Sequence, residues 1–119
     1  MKTEVIDVSI SGRLPAAIRR AIEVLGAGGL VAFPTDTVYG VGARVWDEAS
    51  VERLYQAKGR SLEKAIPVLL ASAAQLPKVA LGPTELALRL GGRFWPGPLT
   101  LVLRRHPDLP AVVSSTANV

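Results

Sequence analysis

The chain has no cysteine, one histidine, one methionine, and two each of tryptophan, tyrosine and phenylalanine. Without cysteine there is neither a disulfide nor a thiolate nucleophile, which fits a cytoplasmic protein. His106 stands alone, so no His/Cys set at metal-ligand spacing exists and no metal site is expected. There is no Ser/His/Asp order to support acyl transfer. The phosphate-loop pattern G-x-x-x-x-G-K-[ST] and the dinucleotide pattern G-x-G-x-x-G are both missing. Long apolar runs are absent too: Ala65–Ala71 falls far short of the roughly 20 residues a membrane span needs. Met1-Lys2-Thr3-Glu4 leads into no apolar targeting segment. The expectation is a cytoplasmic protein with no membrane association.

What is present suits a folded domain. Hydrophobic residues make up 49% and charged residues 20% of 119 positions, a balance that argues against disorder. A chain of this length buries roughly 65% of its extended surface, enough for one core, so a single domain over residues 1–119 is expected. The net charge of +4 and pI near 10.0 are compatible with an anionic partner and equally with an arginine-rich surface.

The most informative stretch is GGLVAFPTDTVYGVG, Gly28–Gly42. Leu30-Val31-Ala32-Phe33 predicts a short strand buried on both faces. Pro34 cannot donate to a ladder, so the chain leaves the sheet there and carries Thr35, Asp36, Thr37 and Tyr39 in a loop. In open α/β sheets such a strand end is where ligands bind. Hydroxyls, one carboxylate and an aromatic face suit a small polar ligand bearing an amine and a hydroxyl. The same residue types also suit a turn whose Thr and Asp side chains bond their own backbone.

Around that stretch, Thr3–Val8 predicts a first strand, and Leu14–Leu25 an amphipathic helix lying on a sheet and closed by the glycines at 26–29. Asp47–Lys58 predicts a second helix with Val51, Leu54 and Tyr55 as its apolar stripe. Gly59 should end it, leaving Lys58 and Arg60 at a helix end and Lys64 just beyond. Cations placed in this way can neutralise phosphate, Lys as a point charge and Arg as a planar fork, or form a solvated loop. Ile66–Leu70 predicts an edge strand because Pro67 interrupts its donors. Ala71–Leu81 predicts a short helix broken at Pro77, and Pro83 opens a helix over Thr84–Phe94 with Leu86, Leu90 and Phe94 on one face. Trp95-Pro96-Gly97-Pro98 is a stiff turn, with Trp95 filling the core and its N–H partnered. Leu99–Leu103 resumes the sheet and places Thr100 where it can face a ligand.

Three motifs, GGLVAFPTDTVYGVG at Gly28–Gly42, Lys58-x-Arg60 with downstream Lys64, and FWPGPLTLVL at Phe94–Leu103, together resemble the YrdC-like family of threonylcarbamoyl-AMP synthases in tRNA modification. The resemblance covers about Leu14–Leu103. It implies an α/β (α+β) fold, a twisted mixed sheet with helices packed around a basic pocket. It also implies nucleotidyl transfer: L-threonine, bicarbonate and ATP give threonylcarbamoyl-AMP and pyrophosphate, with Mg²⁺ accompanying the nucleotide as substrate and no tightly bound cofactor. By that pattern Thr35 and Thr100 hold threonine, Lys58 and Arg60 form the catalytic clamp on phosphate and carboxylate oxygens, Lys64 assists at the nucleotide, and Asp36, Thr37 and Tyr39 line the substrate site. The implied partners are tRNA or double-stranded RNA and the proteins that transfer the threonylcarbamoyl group to tRNA.

The sequence departs from the pattern in places. Ser61 stands where the family commonly has Pro, Ala65-Ile66 replaces Pro-Leu, and Leu69 occupies the position of a His carried by some members. Family domains continue well past the WPGP turn to a Ser-x-Asn motif, which Thr116-Ala117-Asn118 resembles only in passing. The expectation is therefore a domain short at its C-terminus. Three outcomes follow: a synthase, a nucleotide- or RNA-binding module without turnover, or a remnant whose unpaired strand edges favour a homodimer.

Overall fold

Helix α1 runs from Leu14 to Gly26, with Pro15 in its first turn, where a missing N–H costs nothing. The computed structural model that contains it describes residues 2–119. These fall into two compact units, one ending at Arg44 and one beginning at Val45, each treated by itself below. The α1 helix ends as expected: Gly28 takes φ +80° while its N–H donates to the Leu25 carbonyl at 3.1 Å, and Gly29 N–H donates to Val24 at 2.8 Å. No α1 residue is fully buried, and Leu14, Ile18 and Ile22 are half or more exposed, so the predicted burial against a sheet is not observed.

In this first unit Val31–Phe33 (β1) pairs antiparallel with Gly40–Gly42 (β2), Ala32 opposite Val41. The strand expected to be buried on both faces is half of a hairpin with Ala32 exposed. The glycines of β2 have a packing reason: a Cβ on Gly42 would stand 3.1 Å, and one on Gly40 3.3 Å, from the Phe33 ring. Glycine lets that ring lie across the partner strand. The strand predicted over Thr3–Val8 pairs with no other strand among the described residues. Its Glu4 instead reaches Arg20 of α1 at 2.9 Å, and Asp7 turns the chain by accepting from the Ser9 N–H and hydroxyl.

The second unit is organised by α2, Glu48–Lys58, which buries Ser50, Val51, Leu54 and Tyr55. Val51 and Tyr55 join Leu76, Val79, Ala80, Leu109 and Val113 in one core. Pro77 does not break a helix as expected: it lies in the first turn of α3, Leu76–Val79, where proline is tolerated. Helix α4 spans Glu85–Phe94 behind Thr84, whose hydroxyl accepts from the Ala87 N–H at 3.2 Å. Its buried positions are Ala87 and Gly91, whereas Leu86 and Phe94 of the expected apolar face are mostly exposed.

The strands expected at Ile66–Leu70 and Leu99–Leu103 are extended segments joined by isolated bonds. Ile66 donates to Val113, and Leu103 and Val119 exchange a pair at 3.0 and 2.8 Å. Arg104 bridges Asn118, and Arg105 bridges Ala80. The described sheet is thus one two-stranded hairpin within a mixed α/β fold. Extended backbone becomes a ladder only where a neighbour supplies alternating donors and acceptors, and here only 103–106 has neighbours on both sides.

Candidate functional site

The PTDTVY segment is the loop of the first unit's hairpin, and its residues 34–39 are all exposed. Thr35 braces it. Its Oγ1 accepts from the Thr37 N–H at 3.3 Å and the Val38 N–H at 3.2 Å, and its own hydroxyl hydrogen goes to the Val38 carbonyl. Of the two readings of this stretch, backbone bonding is what Thr35 does. Asp36, Thr37 and Tyr39 are turned to solvent around that brace, Tyr39 with 77% of its surface exposed. The loop is a rigid display of one carboxylate, two hydroxyl side chains and a phenol.

In the second unit the cations follow from how α2 stops. Gly59 takes φ +55°, a conformation that penalises side chains, and the N–H of Arg60 donates back to the Tyr55 carbonyl at 3.0 Å. Lys58 is thus the last helical residue, and Arg60 begins a tight loop closed by Lys64 N–H to Ser61 O at 3.0 Å. The Arg60 side chain folds over that loop, Nε donating to Lys64 O at 3.3 Å and Nη2 to Ala65 O at 2.9 Å. Lys58, Arg60 and Lys64 are all exposed. Lys58 at the helix end and Arg60 and Lys64 on the cross-braced loop after it are the residue types that can neutralise a multiply charged anion.

Sequence reasoning passed over Tyr55 as a stripe residue. Its ring is 2% exposed in the core, while its hydroxyl donates to Lys64 O at 3.0 Å and faces Val113 O at 3.4 Å. Burial pushes the phenol pKa up, with nearby Arg60 pulling against that. The available signal was chemical: a tyrosine in an apolar helix stripe carries a hydroxyl that must find a partner. A recess of about 380 Å³ lies beside it, lined by Glu52, Tyr55, Gln56, Gly59, Arg60 and Leu62.

Thr100 lies elsewhere in this unit. It lines a groove of about 860 Å³ whose walls include Val68, Leu70, Trp95 and Leu103, with Ser114 and Asn118 among its polar members. Lys58, Arg60 and Lys64 are not among the lining residues, but Ala65, whose carbonyl accepts from Arg60 Nη2, is. The WPGP turn sets one wall: Trp95, expected to fill the core, packs half-buried against it, and its indole N–H is partnered as expected, Nε1 donating to Leu99 O at 2.7 Å. Glycine is needed at position 97, where a Cβ would approach the Phe94 carbonyl to 2.4 Å, and at 91, where it would meet the Trp95 ring at 3.0 Å. No group of three His, Cys, Asp or Glu side chains able to hold a metal occurs among the described residues.

Residues 23–119 match the Sua5/YciO/YrdC family model, described as telomere recombination. The chain is 46% identical over 97 residues to a threonylcarbamoyl-AMP synthase of Pyrococcus abyssi, covering 82% of this chain and 28% of that protein. It is 39% identical over 111 residues to a Bacillus subtilis protein of the same name, covering 91% of this chain and 32% of the relative. Among solved structures, P. abyssi Sua5 complexed with L-threonine superposes with a TM-score of 0.85 at 41% identity, over 98% of this chain and 32% of that one. The chain thus spans about a third of the length of these relatives.

Proposed function

The chain belongs to the Sua5/YciO/YrdC family, and from that premise we propose that it serves threonylcarbamoyl-AMP synthesis from L-threonine, bicarbonate and ATP. In this reading Thr35 and Thr100 contact threonine, and Asp36, Thr37 and Tyr39 line its site. Lys58 and Arg60 take phosphate and carboxylate oxygens with Lys64 beside them, and Mg²⁺ enters with the nucleotide as part of the substrate. The observation that carries the reading is the cation loop after α2, where Gly59 and the bonds of Arg60 set three cations on a braced turn. The solved relative with L-threonine bound supplies the amino-acid half.

The chemistry needs no nucleophilic side chain. A carbamate oxygen formed on the threonine nitrogen attacks the α-phosphorus, the bond from that phosphorus to the pyrophosphate oxygen breaks, and pyrophosphate leaves with its electron pair. Such a displacement is driven by holding the two partners in line and by neutralising charge as it develops on the phosphate oxygens. Lys58 and Arg60 are suited to the second task, Thr35 and Thr100 to the first.

The test is release of pyrophosphate from ATP, dependent on both threonine and bicarbonate. Lys58→Ala is expected to lower kcat/KM by about 10²-fold or more, the scale of losing one charge-stabilising group. A well-folded wild-type protein that releases no pyrophosphate at any substrate level sinks the synthase reading. A second reading, a nucleotide- or RNA-binding module without turnover, rests on the same exposed Lys58, Arg60 and Lys64. It requires titratable ATP binding without product, or tRNA binding that weakens steeply with salt as phosphate contacts exchange for counterions.

A further inference from the structure

Tyr55 touches the cation loop at both ends. Its carbonyl accepts the Arg60 N–H at 3.0 Å where the loop begins, and its hydroxyl donates to the Lys64 carbonyl at 3.0 Å where the loop ends. Between those points the Arg60 side chain adds bonds to Lys64 O and Ala65 O. The Lys64 carbonyl therefore receives two side-chain donors, one from the core and one from the loop itself. The ring that carries the hydroxyl is immobilised among Val51, Leu76, Val79, Leu109 and Val113. Val113 O both faces the phenol and accepts the Ile66 N–H at 3.1 Å, so the segment following the loop is tied to the same point.

Exposed lysines and arginines have high rotamer entropy, and holding several of them toward one anion costs affinity unless their backbone is already fixed. In this loop the fixing is done by a residue with no surface to offer an anion. We infer that Tyr55 is the positioning residue of the anion site, its hydroxyl setting the spacing of Lys58, Arg60 and Lys64 for a polyphosphate. The inference rests on the proposed role of those cations toward the nucleotide. It adds that the register of the site is set from inside the core, at the 64–65 peptide, and that Arg60 is held by the same carbonyl that Tyr55 holds.

Tyr55→Phe keeps the ring and removes only the hydroxyl, and Ala87→Gly serves as a destabilising variant at a buried position of α4 outside the cluster around Tyr55. Three measurements are made on each full-length protein: the Kd for inorganic tripolyphosphate, amide hydrogen exchange across Glu63–Ile66, and Tm. The expected result is tripolyphosphate binding weakened about five- to tenfold in Tyr55→Phe, the equivalent of one lost hydrogen bond. Exchange at 63–66 should rise with it, whereas Ala87→Gly lowers Tm and leaves both the Kd and the 63–66 exchange unchanged. If the wild type binds tripolyphosphate and Tyr55→Phe binds it equally well, the positioning role is overturned while the cation site stands. Weakening matched by Ala87→Gly at equal Tm loss overturns it as well, since stability alone would then explain the effect. A wild type that does not bind tripolyphosphate removes the anion site itself and the inference with it.

Discussion

At the scale of single residues, the side chains that matter already have partners within the chain. Thr35 Oγ1 is occupied by the Thr37 and Val38 N–H groups, and the Arg60 guanidinium by two carbonyls. A ligand reaching either residue competes with these bonds and selects the geometry they leave open. Tyr55 has a consequence for pH as well. Its proton is held more tightly in the folded chain than its ordinary value of 10.0. The stability it contributes is therefore complete below about pH 10 and is lost as pH rises through the higher folded value. Denaturant unfolding of the wild type above pH 10 should show a steeper loss of stability than Tyr55→Phe, which has no phenol to ionise. Parallel alkaline curves for the two proteins would contradict this. These residue types were legible in the sequence, Thr35 with both of its readings and Lys58 and Arg60 at the end of a helix. The bonds to Lys64 O and Ala65 O were not, because they depend on where the next turn brings two carbonyls.

At the scale of elements, helices ended where glycine and the apolar period said they would, as at Gly28 and Gly59. The strands were less legible. Ile66–Leu70 and Leu99–Leu103 have the residue types of strands, yet a ladder depends on a partner that no local pattern specifies. The Gly28–Gly42 motif also hid its return strand, since Gly40-Val41-Gly42 has too little apolar alternation to read as one. The glycines of α4 differ in their surroundings. Glycine ordinarily weakens a helix interior, but Gly91 faces the Trp95 ring, which a Cβ would approach to 3.0 Å. Gly91→Ala should gain up to about 1 kcal/mol of helix propensity and lose about 1–3 kcal/mol to overpacking. The net expectation is a lower denaturation midpoint, whereas Gly92→Ala, with open space around its Cβ, should raise it or leave it unchanged. Equal midpoints for the two variants would remove the packing argument.

At the scale of the whole molecule, the core belongs to the second unit, while the first keeps Leu14, Ile18 and Ile22 of α1 largely in contact with solvent. Family membership was readable because the three motifs lie in regions whose local geometry is demanding: a hairpin loop braced by a threonine, a left-handed glycine after a helix, and a proline–glycine turn under a tryptophan. That Ala65 both lines the groove and holds Arg60 of the cation loop was not readable, since spacing along the chain does not say which surface a residue meets. The groove also carries an optical consequence. The chain has two tryptophans: Trp46 is 45% exposed, and Trp95 lines the groove with its indole N–H held by the Leu99 carbonyl. Replacing Trp46 with Phe leaves a single tryptophan, selectively excitable over the two tyrosines, in the wall that Thr100 shares. Its emission should shift or quench when L-threonine fills that space, whereas a spectrum unmoved at saturation would place the amino acid elsewhere. The turn that shapes the wall thus doubles as a reporter of its occupancy.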